Sequence, residues 1–206
     1  MATSADDFNC GVVIRHYKGH GGIVEIPAEI NGLPVAEIGT EAFNSCKTLT
    51  EIHATDGVTK ICDRAFSLCR RLKKIKISAA VEKISVSTFF GCSSLRTVQL
   101  PDSLTEIGEF AFAECKNLRE IFIPDSVKKI GKWAFSKCDN LTTINLPASL
   151  IFVGEDIFFD DNKLKDFYVP KKLLDYDYED DIEYNRACNV KNIIADLPEG
   201  CEVHYT

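Results

Sequence analysis

Residues 104–126 read LTEIGEFAFAECKNLREIFIPDS, and residues 127–149 continue without a break as VKKIGKWAFSKCDNLTTINLPAS. Aligned on their first residues, the two segments share an aliphatic at Ile107 and Ile130 and an Ala-Phe pair at Ala111-Phe112 and Ala134-Phe135. They also share Cys115 with Cys138, Leu118 with Leu141, and Pro124 with Pro147. Working outward, the register runs through Val35, Val58, Val81, Leu104, Val127 and Leu150, which open six segments of 23 residues with no insertion. A fixed period of about 20 to 50 residues marks a solenoid or array, in which one unit cannot bury its own apolar face and neighbours stack to make a core.

Within each unit the columns are uniform. The phenylalanines are Phe43, Phe66, Phe89, Phe112, Phe135 and Phe158, and the leucines are Leu49, Leu72, Leu95, Leu118, Leu141 and Leu164. Each leucine precedes a short alternating run such as Glu120-Ile121-Phe122-Ile123-Pro124. Period-two alternation reads as a strand, and stacked units pair such strands in parallel about 4.8 Å apart. The prolines Pro101, Pro124, Pro147 and Pro170 fall just after the strands, where no ladder donor is needed. The Ala-Phe pairs are expected to plug the convex side on short helical turns.

These units resemble the BspA-like leucine-rich-repeat family, over Ile23 to about Pro170. The resemblance implies an α/β repeat fold: a solenoid with a parallel β-sheet on its concave face, short helical turns on the convex side, and adhesion or interaction roles, often at cell surfaces. The segment Gly11 to Gly39, with IVEIPAEINGLPVAEIG, is similar to the cap that opens such arrays. The expected organisation is an N-terminal capping segment over 1–34, the six repeats over 35–172, and a C-terminal capping tail over 173–206. The first cap reads as a β-hairpin, with Gly19 to Gly22 turning Val12–Tyr17 back alongside Ile23–Ile26. The tail reads as a cover for the open end, helical around Leu173 to Arg186, with a turn at Pro198-Glu199-Gly200.

A net charge of -7 and a pI near 5.2 give no basic footprint for nucleic acid. No apolar run approaches bilayer-spanning length, and Met1 to Phe8 has neither region of a signal peptide, so the expectations are no membrane insertion and a cytoplasmic location, with a surface or secreted location as the alternative. Nine cysteines without close CxxC pairs fit free thiols in a reducing compartment. Cys46, Cys69, Cys92, Cys115 and Cys138 share one repeat position. They read as small buried residues at a tight turn, because parallel side chains one ladder step apart converge neither for a disulfide nor for a tetrahedral metal site. His16 and His20 straddle a glycine turn with no accompanying carboxylates. The acidic residues Asp175, Asp177, Glu179, Asp180, Asp181 and Glu183 lack the glycine and glutamate a calcium loop needs. No phosphate loop, nucleophile elbow or triad is visible. The chain therefore reads as a non-enzyme with no cofactor and no metal.

Residues flanking the inward aliphatics of each strand point out of the concave face, and they vary where the inward columns are uniform. That set is Glu51 and His53, Lys74 and Lys76, Thr97 and Gln99, Glu120 and Phe122, Thr143 and Asn145, Asp166 and Tyr168. It is the candidate binding surface for a protein partner, with Phe122 and Tyr168 as anchors and Lys74 and Lys76 steering approach. The other readings are a surface adhesion module and a self-associating spacer. For self-association the motive is a charge gradient, from Lys60, Arg64, Arg70, Arg71, Lys73 and Lys83 to an end made acidic by Asp160, Asp161, Asp166 and the tail.

Overall fold

The computed structural model describes residues 11–161, 163–175 and 181–206. Asp177, Glu179 and Asp180 of the acidic run lie outside the described residues, as do Met1 to Phe8.

Every repeat contributes two strands, each with an inward aliphatic. The first forms a parallel ladder of Val12–Ile14, Leu33–Ile38, Lys60–Ile61, Lys83–Ile84, Glu106–Ile107, Lys129–Ile130 and Phe152–Val153. In its two-residue strands an isoleucine or valine is buried, while the residue before it faces out. This second ladder was not part of the sequence expectation. The longer strands form the ladder expected on the concave face, also parallel, in two four-stranded segments. One segment is Gly22–Glu25, Leu49–His53, Lys74–Lys76 and Thr97–Gln99; the other is Glu120–Ile121, Thr143–Asn145, Asp166–Val169 and Glu202–Tyr205. Pairing advances by one repeat with side chains in register, so Ile52, Ile75 and Val98 align, as do Ile121, Ile144 and Phe167. Ile121 and Ile123 are both buried.

The convex side is not helical, against expectation. In the fourth repeat the N–H groups of Phe110, Phe112 and Glu114 donate to Lys132, Ala134 and Ser136 of the next repeat at 2.8–3.1 Å. Those of Ala111, Ala113 and Cys115 donate locally to residues three back, Gly108, Phe110 and Phe112. A helix needs consecutive intrasegment bonds, and here every second donor is committed to a neighbouring unit. Left-handed φ values of 53° at Phe110 and 59° at Glu114 set this alternation, and they recur at the matching positions of the other repeats. Bonds between repeats offset the cost of holding non-glycine residues there.

Beneath these turns Phe43, Phe66, Phe89, Phe112 and Phe135 form a buried stack with centroids 5.2–5.5 Å apart. Tyr17 closes one end at 4.8 Å from Phe43, and Phe158 with Phe167 closes the other. The cysteine column has a physical purpose. The buried thiols of Cys69, Cys92, Cys115 and Cys138 each donate to the carbonyl of the preceding repeat's phenylalanine, at 3.0–3.3 Å. Cysteine is small enough for the turn and still supplies a donor. Close packing of the units also fixes Gly131, where an added Cβ would lie 2.5 Å from the Glu109 nitrogen.

Both ends differ from the sequence reading. The strands Val12–Ile14 and Gly22–Glu25 do not form a hairpin with each other; each joins a separate ladder, pairing with Leu33–Ile38 and Leu49–His53. The N-terminal antiparallel pairing instead joins Glu29–Ile30 to Leu33–Pro34 around Asn31-Gly32, where Gly32 has φ of 76°. In the tail, a 3-10 turn at Lys171–Leu173 precedes an α-helix at Asp181–Ala195, which overlaps the expected helix over 181–186 and runs nine residues beyond it. Leu173, Ala187, Val190 and Ile193 are buried against the last repeat, and Asn189 donates to the Val153 carbonyl at 2.8 Å. After the turn at Pro198–Gly200, Glu202–Tyr205 adds one more parallel strand in register with Asp166–Val169. The tail thus both covers the core and lengthens the concave ladder.

Candidate binding face

In-register pairing brings the predicted set together as two columns. Glu51, Lys74 and Thr97 form one with Glu120, Thr143 and Asp166; His53, Lys76 and Gln99 form the other with Phe122, Asn145 and Tyr168. Strand alternation explains their outward aim. The central members are the most open: Lys74, Lys76, Thr97, Gln99, Glu120 and Phe122 are exposed, whereas the others are half-buried. Phe122 retains 65% of its surface in solvent.

The ladder's two segments lie side by side at Thr97–Gln99 and Glu120–Ile121, in contact although they belong to separate sheets. A cleft of about 320 Å³ lies there, walled by Gln99, Asp102, Glu120 and Phe122. It shares Thr97, Val98 and Gln99 with a larger hollow of about 790 Å³ lined by Glu25, His53, Lys74 and Lys76. Together they make a continuous depression with an aromatic wall at one end and cationic side chains at the other.

The ends of the face are tied down. His53 bridges Glu25 at 2.6 Å and Glu51 at 2.7 Å, and Lys74 reaches Glu51 at 3.4 Å. The Glu51 and Glu25 carboxylates hold the His53 imidazole above its usual range, while His53 and Lys74 hold Glu51 below its own. Asn145 is spent on the backbone, its amide nitrogen donating to the Ile123 carbonyl and its oxygen accepting from the Ile123 N–H, both at 2.8 Å. Tyr168 is partly covered, because His204 of the added strand stacks on it at 4.6 Å. His204 also pairs with Asp166 at 3.0 Å. Phe122 is therefore the open aromatic of the expected pair.

The charge gradient is weaker than the sequence suggested. Lys60, Arg64, Lys74 and Lys83 pair with Glu37, Glu41, Glu51 and Glu106 at 2.8–3.4 Å. Asp161 is buried, 3% exposed, and burial pushes its carboxyl up to about 8, so it adds little negative charge at neutral pH.

Four residues of the face were missed by sequence reasoning. Ile23 and Glu25 join it through the pairing of Gly22–Glu25 with Leu49–His53, and their position beside Val24 was a usable signal. Glu202 and His204 join it through the non-repeating tail, whose only signal is the alternation Glu202-Val203-His204-Tyr205. Asp166, Glu202 and His204 place three ligand atoms within 4.8 Å of one another, an arrangement able to take a divalent cation. Among the described residues no helix is long and apolar enough to cross a membrane.

The sequence family described as the BspA type Leucine rich repeat region matches residues 25–106 and 59–179, with six copies. The chain belongs to the BspA-type leucine-rich-repeat family. Solved leucine-rich-repeat structures resemble this BspA-type chain over most of its length. A Bacteroides ovatus protein is 29% identical with a TM-score of 0.69, over 89% of this chain and 42% of its own. The T. pallidum leucine-rich-repeat protein is 27% identical with a TM-score of 0.66, over 95% and 92%. A leucine-rich cell surface protein of Faecalibacterium prausnitzii is 28% identical with a TM-score of 0.66, over 79% and 51%. The BspA-type chain thus spans less than two thirds of the first and third of these. No curated protein matches it.

Proposed function

We propose that this BspA-type repeat chain is a non-catalytic scaffold that binds a protein partner in the depression between Lys76 and Phe122. The observation that carries the reading is Phe122, 65% exposed beside a cleft midway along the face. A large outward aromatic at a concavity is the usual form of a binding anchor, and solenoids offer extended faces for such contacts. Lys74 and Lys76 on the neighbouring hollow would favour an acidic partner segment and speed its approach. The reading includes a reducing compartment, which nine cysteines without close CxxC pairs favour. A surface role, by analogy with the Faecalibacterium relative, would place the same face outward.

The test is site-specific photocrosslinking in the cells that make the protein. A benzophenone amino acid at Phe122 or Gln99 should give a discrete crosslinked species, competed by unlabelled protein but not by a Phe122→Ala variant. The same probe at convex Phe110 should give none. Crosslinks confined to Phe110 would move the site to the opposite face and sink the proposal.

A further inference from the structure

At the C-terminal end of the solenoid, between the last convex turn and the helix Asp181–Ala195, lies a cavity of about 560 Å³ that the concave-face reading does not use. Phe158, Phe159 and Ile193 supply apolar surface, and Asp156, Asp161 and Asp196 stand among its walls. Counting Glu155 and Asp160, five of its described lining residues are acidic and none is Lys, Arg or His. Glu155 is already engaged by Lys132 at 2.9 Å.

Asp161 separates this cavity from an ordinary acidic surface. It occupies the cysteine column of the last repeat, yet it is only 3% exposed. Its Oδ1 accepts the Cys138 N–H at 2.5 Å, while its Oδ2 is buried with no hydrogen-bond partner among the described residues. A buried polar atom left unpaired costs free energy that a ligand donor would recover. Nearby, Asn189 spends its amide nitrogen on Val153, which leaves its carbonyl oxygen as an acceptor on the wall.

We infer that this cavity binds an alkylammonium group, from a free di- or polyamine or from a lysine side chain, with its methylenes on Phe158 and Phe159 and its nitrogen on Asp161. Charge excludes an anion. A metal ion fits poorly because among the described residues only Asp166, Glu202 and His204, on the concave ladder, bring ligand atoms within 4.8 Å of one another. Carboxylates spread over an apolar floor suit an extended organic cation instead.

The ligand-free site holds a proton. Burial, with Asp139 and Asp160 adding to it and the Cys138 N–H opposing it, keeps Asp161 protonated up to about 8. Asp156 and Glu155 on the turn and Asp196 at the helix end also face the cavity. An incoming ammonium ion converts the acid to a carboxylate ion pair and one proton leaves to solvent, so binding is linked to proton release.

The experiment is calorimetric titration of the full chain with 1,6-diaminohexane and, separately, with a blocked peptide carrying one lysine. Each is run near neutral pH in two buffers of different ionisation enthalpy. Saturable binding with release of about one proton is expected, with hexanol giving no binding. Asp161→Asn should abolish the proton release and weaken binding by about tenfold or more, the scale of one charge-assisted hydrogen bond. Asp196→Asn, at an exposed position, should weaken binding several-fold and keep the proton release, which separates the loss of wall charge from the loss of the titrating carboxyl. Lys47→Ala, at an exposed position in the first repeat and away from both the cavity and the concave face, should change nothing. Tighter binding of the diamine identifies a soluble amine as the ligand, and tighter binding of the peptide identifies a protein lysine. Absence of saturable binding, equal binding of hexanol, binding without proton release, or indifference to both aspartate variants would overturn the inference.

Discussion

Replacing Asp161 by asparagine should stabilise the last repeat, increasingly so as pH rises. The side chain is 3% exposed, and burial raises its carboxyl from 3.8 to about 8. An unfolded chain releases this proton near 3.8, whereas the folded chain keeps it until about 8, so the native state binds more protons throughout that window. Stability of the parent must therefore fall with rising pH across it, the reverse of a salt-bridged carboxylate. One proton of difference corresponds to about 1.4 kcal/mol per pH unit, or roughly 2 to 3 kcal/mol between about pH 5 and pH 7. Asparagine keeps the oxygen that accepts the Cys138 N–H and has no proton to lose. Urea unfolding of parent and variant at both pH values, with hydrogen exchange at the Cys138 amide as the local reporter, gives the difference directly. Parallel pH profiles for the two proteins would refute the reasoning, since they would mean that Asp161 ionises in place without cost.

Phe112, buried and stacked between Phe89 and Phe135 at 5.2 and 5.5 Å, should cost about 3 to 5 kcal/mol on conversion to alanine, while exposed Phe122→Ala should change stability by less than about 0.5 kcal/mol in the same denaturation assay. The thiols of Cys92, Cys115 and Cys138 are raised well above their usual value by burial; a thiol reagent at mildly alkaline pH should label half-buried Cys46 in the native protein and reach the column only on unfolding. His53, raised by Glu51 and Glu25, helps hold the strand Gly22–Glu25 below the ordinary histidine range and should release it as pH climbs through the raised value; protection of the Ile26 amide, which donates to the His53 carbonyl at 3.0 Å, should fall over that interval, and should lose the transition in Glu25→Gln with Glu51→Gln. Once a partner is in hand, Phe122→Ala should mainly speed dissociation, by an amount worth about 2 kcal/mol for a hot spot, and Lys76→Glu should slow association at low salt more than Lys74→Glu, because Lys74 already serves Glu51.

The repeat register alone fixed which side chains line the core and which look out. Val35 through Leu150, the phenylalanine and leucine columns, and the outward pairs from Glu51-His53 to Asp166-Tyr168 all follow from a constant period, because identical spacing forces identical placement in stacked units. What failed was local or terminal. The convex turns look helical in sequence, with Ala-Phe pairs and few breakers, yet alternate N–H groups there bond to the next repeat, and no single-repeat pattern reveals a donor's partner in another unit. The two-residue strands such as Lys129–Ile130 are too short to carry an alternation signal.

By itself, then, the sequence determined a parallel solenoid of six units and the identity of its variable face, since both depend on periodicity that any stacked packing must honour. Tertiary structure decided the rest. It placed Gly22–Glu25 and Glu202–Tyr205 at the two ends of one face, covered Tyr168 with His204, opened a cleft beside Phe122, and buried Asp161 at the end of the cysteine column beside Cys138. None of these recurs with the 23-residue period. Each arises where non-repeating segments satisfy backbone groups and apolar surface that the repeats leave open at their ends.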